Sequence, residues 1–194
     1  MIAIIDYGGG NIGSVRNALD YLYVQYVVTD NQNIIKKADK IILPGQGRFG
    51  DVMKKLKEKR LDKLLTEEIN NKKPYLGICI GLQILFERGD EDPGIPGLGI
   101  FKGSVPKFNV KLKVPQIGWN NIEQKKKSVI NFDGDFFYFV HSYFVKPVDK
   151  EIILATSNYE KEFVCAVEKD SVLATQFHPE KSGKAGLKIL RKWC

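Results

Sequence analysis

The stretch Pro74-Tyr75-Leu76-Gly77-Ile78-Cys79-Ile80-Gly81-Leu82-Gln83 constrains this chain more than any other. An apolar run meets Gly-x-Cys-x-Gly and continues with apolar residues at helical spacing, which predicts a strand, a sharp turn and a helix. Glycines on both sides remove the side chains that would block a tight corner, and they leave the residue between them exposed, as in a nucleophile elbow. That residue is Cys79. The corner places it at a helix N-terminus, where unpaired N–H groups and the helix dipole favour an anion. A buried structural cysteine is the alternative at an arbitrary position. The flanking glycines weigh against it, but they do not say what is attacked.

A length of 194 residues suits one domain covering 1–194, with 43% hydrophobic and 27% charged residues as in ordinary globular proteins. No apolar run approaches the roughly 20 residues that span a bilayer. Met1-Ile2-Ala3-Ile4-Ile5 meets Asp6 too soon for a signal peptide, so a cytoplasmic location is expected. The cysteines Cys79, Cys165 and Cys194 are odd in number and lack metal-ligand spacing, so no disulfide framework, metal or cofactor is expected. The net charge of +7 raises the question of nucleic acid. Only Arg16, Arg48, Arg60, Arg88 and Arg191 are arginine, the better reader of phosphates and bases. The lysine runs lie beside acids or turn residues and read as solvated surface.

Residues 2 to 5 form a short strand, and Gly8-Gly9-Gly10-Asn11-Ile12-Gly13 precedes a helix from about Ser14 to Tyr23. Gly8, Gly10 and Gly13 satisfy a dinucleotide fingerprint, with Asp30 near the place of a ribose-binding acid. The rest of the chain leaves little room for a substrate domain of that class, so a nucleotide module is kept only as a rival. Lys40-Ile41-Ile42-Leu43 is a further strand, stopped by Pro44-Gly45-Gln46-Gly47 and followed by one long amphipathic helix from about Phe49 to Asn70. Strand and helix alternate up to Cys79, which predicts parallel strands with helices on both faces. Active sites of such sheets lie at the strands' carboxyl ends, so Gly8 to Gly13, Pro44 to Gly47 and Cys79 share one rim. After Arg88 the chain is turn-rich, with shorter strand-like pieces near Val105, Val114, Ile122, Phe136 to Val140, Ile152 to Ala155, Val164 to Glu168 and Val172 to Gln176. This half reads as largely antiparallel, packed onto the first, and closed by a helix from about Ala185 to Lys192.

A cysteine nucleophile needs a base, and the only histidines are His141 and His178. Pro179 biases His178 toward an extended conformation, in which residues two apart point the same way, so Glu180 can sit beside the imidazole. A carboxylate there fixes the tautomer and stabilises the imidazolium, the third role of a triad. His141 has no acid nearby in sequence and reads as ordering a loop.

Gly77-Ile78-Cys79-Ile80-Gly81-Leu82-Gln83 followed about a hundred residues later by His178-Pro179-Glu180 resembles the class I glutamine amidotransferases. More narrowly the chain resembles the glutaminase subunits of imidazole glycerol phosphate synthases. The resemblance runs from Ile2 to the C-terminal helix. It includes Asp6-Tyr7-Gly8-x-Gly10-Asn11, Leu43-Pro44-Gly45-x-Gly47-x-Phe49-Gly50, Gly118-Trp119-Asn120, Tyr138-Phe139-Val140-His141-Ser142-Tyr143 and Gln176-Phe177-His178-Pro179-Glu180-Lys181-Ser182-Gly183. It implies an α/β, three-layer flavodoxin-like fold with a mixed, largely parallel central sheet.

The resemblance also implies roles. Cys79, His178 and Glu180 are the triad, and Ile80 and Gln46 supply oxyanion donors. Gly45, Gln83, His141, Ser142 and Tyr143 match positions that hold the substrate, L-glutamine. Asn11, Trp119, Tyr138 and Lys181 match positions at the interface with a (β/α)-barrel cyclase subunit, which receives the ammonia. The glycines of Pro44 to Gly47 permit a peptide to rotate and present or withdraw a donor. Gln46, Arg48 and Gln116 depart from the family's usual residues, which leaves open a glutaminase serving a related synthase, such as one that amidinates a surface sugar. A stand-alone cysteine hydrolase is the rival from another class.

Overall fold

The computed structural model describes residues 1–132 and 135–194. Short β-branched and aliphatic runs make the first strands, and amphipathic segments between them make helices. In order these are Ile2–Ile5 (β1), Ile12–Tyr21 (α1), Tyr26–Thr29 (β2), Gln32–Lys37 (α2), Lys40–Leu43 (β3), Phe49–Glu58 (α3), Leu61–Asn70 (α4) and Tyr75–Ile78 (β4). The elbow leads into Ile80–Gln83 (α5), then Phe86–Gly89 (β5), Phe101–Val105 (β6), Gln116–Asn121 (β7), Glu123–Gln124 (β8), Phe136–His141 (β9) and Lys146–Pro147 (β10). Ile153–Tyr159 (β11), Lys161–Lys169 (β12), Val172–Thr175 (β13) and Gly183–Trp193 (α6) complete the order.

The main sheet runs β2-β1-β3-β4-β13-β12-β11-β8. Its first five strands are parallel, in the doubly wound order 2-1-3-4-5, and the last three add antiparallel pairings. Both faces of such strands are covered, which explains why β1, β4 and β13 are buried throughout. One face packs α2, α3 and α4 with the small sheet β10-β6-β5, and the other packs α1 and α6 with the ribbon β7-β9. The antiparallel half therefore does not simply lie on the first: β12, β11 and β8 extend the same sheet.

Three further expectations are corrected. Phe49 to Asn70 is two helices, broken where Arg60 takes a left-handed conformation at φ 55°. The apolar positions give the reason: after Leu56 a continuous helix would bury residues 59, 60 or 63, which are Lys59, Arg60 and Lys63, whereas the break re-phases the chain so that Leu61, Leu64 and Leu65 return to the core. The helix after Cys79 is a single turn, because the chain must leave it to start β5, so its dipole is slight. Val114 lies in a loop rather than a strand.

Candidate active site

The loops after β3, β4 and β13 meet at the sheet's carboxyl edge. Between β4 and α5, Cys79 adopts φ 51° and ψ −100°, a strained conformation for a residue with a side chain. Its N–H donates to the Thr175 carbonyl at 2.7 Å, and its carbonyl accepts from Leu82 and Gln83. A Cβ on Gly77 would lie 2.4 Å from the Gly81 carbonyl oxygen, and one on Gly81 would lie 2.6 Å from that of Leu43. Both positions therefore demand glycine. The Ile80 N–H, first in α5, is among the donors that a helix start leaves unpaired.

His178 follows β13 in extended backbone, and Pro179 opens a one-turn 3₁₀ helix over Pro179–Lys181. Its Nδ1 lies 2.8 Å from Glu180 Oε1, with both side chains fully buried. Nε2 has no hydrogen-bond partner among the described residues, and His178 shares the cavity wall with Cys79, whose sulfur acts on the ring's charge. Burial alone would lower the His178 imidazole, but the Cys79 sulfur and the Glu180 carboxylate outweigh it and hold the ring up at about 10. A proton resting on His178 suits a base that has taken it from a thiol.

A cavity of about 210 Å³ opens over the sulfur, walled by Cys79, Ile80, Gln83, Gln46, Gly47, His141, Ser142, Tyr143 and His178. Glu91, Pro115 and Val140 complete the wall. Of the sequence candidates, Gly45 stands behind it: a Cβ there would lie 2.0 Å from the Ile78 carbonyl oxygen, so this glycine lets the two loops touch. Glu180 is buried behind His178. Sequence reasoning missed Glu91, the one carboxylate that the described residues place on the wall, whose Oε2 also accepts from the Phe49 N–H at 2.8 Å at the start of α3. Its only signal was its place in a turn-rich segment.

The Tyr143 carbonyl organises the far wall. It accepts from Gln83 Nε2 at 3.1 Å and lies 2.8 Å from His141 Nδ1. A carbonyl only accepts, so the proton of His141 sits on Nδ1. Burial holds the ring down at about 4, hence neutral, and its Nε2 needs a donor. Gln116 Oε1 lies 3.0 Å away, so a neutral ring requires the Gln116 amide turned over, with its NH₂ toward Nε2. The role of His141 in ordering its loop is visible here.

Trp119, Tyr138 and Lys181 form one patch beside the site. Trp119 and Tyr138 are cross-strand partners with rings edge to face at 6.1 Å, and Lys181 Nζ lies 6.0 Å over the Tyr138 ring. Ile117, Trp119 and Phe136 are more than half exposed on this ribbon. Asn11 precedes α1, which packs against the turn carrying Lys181. The fingerprint glycines are not joined by a free acid: Asp30 pairs with Lys59 Nζ at 2.8 Å, and the same ammonium donates to the Asp6 carbonyl. Among the described residues no group of three or more His, Cys, Asp or Glu could hold a metal ion.

Residues 3–194 match the glutamine amidotransferase class-I family. The chain is 48% identical over 200 residues to imidazole glycerol phosphate synthase subunit HisH 1 of Methanococcus maripaludis, covering all of this chain and 98% of that one. It is 46% identical over 197 residues to imidazole glycerol phosphate synthase subunit HisH of Methanocaldococcus jannaschii, with the same coverage. A solved structure described as a glutamine amidotransferase shares the fold, with a TM-score of 0.77 at 17% identity over 98% of this chain and 96% of the other.

Proposed function

This chain belongs to the class-I glutamine amidotransferases, and from that premise we propose that it is the glutamine-hydrolysing subunit of imidazole glycerol phosphate synthase, an enzyme of histidine biosynthesis. The observation that carries the reading is His178 buried between the Cys79 sulfur and Glu180 Oε1 on the floor of a cavity sized for an amino acid. The cavity is below the roughly 300–1,000 Å³ of drug-sized pockets, which argues against a peptide substrate.

Cys79 Sγ bonds to the side-chain amide carbon of L-glutamine, whose carbonyl oxygen becomes an oxyanion held by the N–H groups of Ile80 and Gln46. His178 passes the thiol's proton to the nitrogen, the C–N bond breaks, and ammonia leaves. Water, deprotonated by His178, then attacks the thioester, giving glutamate and restoring the thiol. Glu180 holds the His178 tautomer throughout. At the other end of the substrate, Glu91 and Gln83 Oε1 suit the ammonium group, and Ser142 and Tyr143 offer donors to the carboxylate. His141 holds that wall in place, and Gly45 seats the oxyanion loop against the elbow.

Ammonia passes to a (β/α)-barrel cyclase subunit, which uses it to make imidazole glycerol phosphate and aminoimidazole carboxamide ribonucleotide. We assign the patch of Asn11, Trp119, Tyr138 and Lys181, with Ile117 and Phe136, to that contact. The exposed apolar residues on the ribbon support this, as does the nearness of the patch to His178. We assign the cytoplasm as compartment; among the described residues no helix is long and apolar enough to cross a membrane. The test is Cys79→Ala in the complex: glutamine-dependent synthesis should vanish while synthesis from added ammonium salt persists. Loss of both in a folded complex contradicts the division of labour.

A further inference from the structure

We propose that Gln176 is a donor to the nucleophile, its side-chain N–H bonding the Cys79 sulfur, and that Gln83 and the Tyr143 carbonyl hold it in that orientation. The proposal rests on reading Cys79 as the nucleophile. Gln176 directly follows β13 and is fully buried. Its Nε2 lies 3.4 Å from Cys79 Sγ, within the longer reach of hydrogen bonds to sulfur, and its Oε1 lies 3.0 Å from Gln83 Nε2.

The orientation follows from an atom that cannot be turned around. The Tyr143 main-chain oxygen only accepts, so the Gln83 amide must point its nitrogen at it. That nitrogen also reaches Gln176, which must therefore present oxygen to Gln83 and nitrogen to the sulfur. Turning the Gln176 amide over would set NH₂ against NH₂ at one end and oxygen against sulfur at the other. The loop that walls the cavity thus fixes, through two amides, a donor aimed at the reacting atom. A donor favours the anionic sulfur over the thiol, and it acts again when sulfur leaves the thioester. Gln83 is in this respect a positioning residue, since both amide protons are engaged inside the protein and only its Oε1 is left for a ligand.

The experiment is alkylation of the full chain by iodoacetamide, a small neutral electrophile that needs no glutamine recognition, followed by peptide mapping from pH 6 to pH 10. In Gln176→Leu, Cys79 labelling at pH 7 should fall about tenfold, the size of losing one hydrogen bond to an anion, while labelling at pH 10 stays close to the wild-type rate. Gln176→Glu, which sets a carboxylate beside the sulfur, should fall further. If Gln176→Leu does not fold, Gln83→Met tests the same relay, because it frees the Gln176 amide to turn, and it should move the profile the same way by a smaller factor. A folded variant whose profile superposes on the wild type overturns the proposal. Failure of the underlying reading looks different: wild-type Cys79 would then label no faster than Cys165 or Cys194.

Discussion

The main-chain N–H of His178 donates to the carbonyl of Tyr138 at 2.9 Å. The residue that carries a half-buried ring on the outer ribbon is thereby bonded to the residue that carries the candidate base. Ser182 closes the unit: its hydroxyl donates to the His178 carbonyl at 2.6 Å and accepts from the Tyr138 N–H at 3.0 Å. A partner that presses on the Tyr138 ring acts on backbone that holds the His178 ring.

Truncating this patch should therefore separate docking from chemistry. Trp119→Ala is expected to weaken partner binding by about tenfold or more, as for an aromatic anchor, and Lys181→Ala by less. Cys79 labelling by a glutamine-analogue electrophile should be unchanged in either isolated variant. Calorimetric titration and labelling rates check the two halves, and a large loss of labelling in isolated Trp119→Ala would count against the separation.

A glutamine-analogue electrophile should modify Cys79 and spare the other two cysteines. Cys165 is fully buried, and burial pushes its thiol well up. Burial also pushes the Cys194 thiol up to about 11, leaving it protonated at neutral pH. Peptide mapping after non-denaturing labelling decides this, and comparable modification of Cys165 would defeat the assignment.

Much of this site is legible in the sequence because its geometry is local. Gly-x-Cys-x-Gly dictates the corner, and extended backbone ahead of Pro179 puts His178 and Glu180 on one side. The break at Arg60 was missed by the expectation of one long helix, although the five-residue step from Leu56 to Leu61 marks it. Gln176, Glu91, Pro115 and Val140 were not, since what each side chain faces depends on loops distant in sequence. The fingerprint near Gly8 could not be dismissed on its own residues either; what answers it is the pairing of Asp30 with Lys59, a contact between segments 29 residues apart.

The two histidines give opposite pH dependences of stability. His141 is held at about 4 against an ordinary 6.5, so between those values the unfolded chain binds a proton that the native state lacks. Stability from this group is complete above 6.5 and is lost as pH falls toward 4, by about 3 kcal/mol. His178, held up at about 10, contributes stability that is complete below 6.5 and is lost as pH rises through 10. Denaturant titrations of His141→Gln should flatten the acid limb and leave the alkaline limb intact; an unchanged acid slope would contradict the burial argument.

Tyr7 bears on the oxyanion loop. Its hydroxyl donates to the Gln46 carbonyl at 2.8 Å and reaches that of Pro44 at 3.3 Å, and burial pushes the phenol up so that it remains a donor. These bonds pin the peptides on either side of Gly45–Gln46 and leave that one to rotate and swing the Gln46 N–H. Substituting Gly45 itself would push on the Ile78 carbonyl and disturb the elbow, so Tyr7→Phe is the cleaner change. The ratio of partner-stimulated to basal turnover should fall about tenfold, part of the hundredfold or more that one oxyanion donor supplies, with little change in KM. An unchanged ratio would remove Tyr7 from the switch.

This site belongs to a glutaminase whose turnover, as proposed above, is controlled by its partner. The direct measurement is glutamate release from glutamine by the isolated chain, by the chain with the cyclase subunit, and by that complex with its nucleotide ligand bound. Turnover should be very slow for the isolated chain and rise about a hundredfold or more in the liganded complex, the size of one oxyanion donor gained. Turnover by the isolated chain as fast as by the liganded complex would contradict that control.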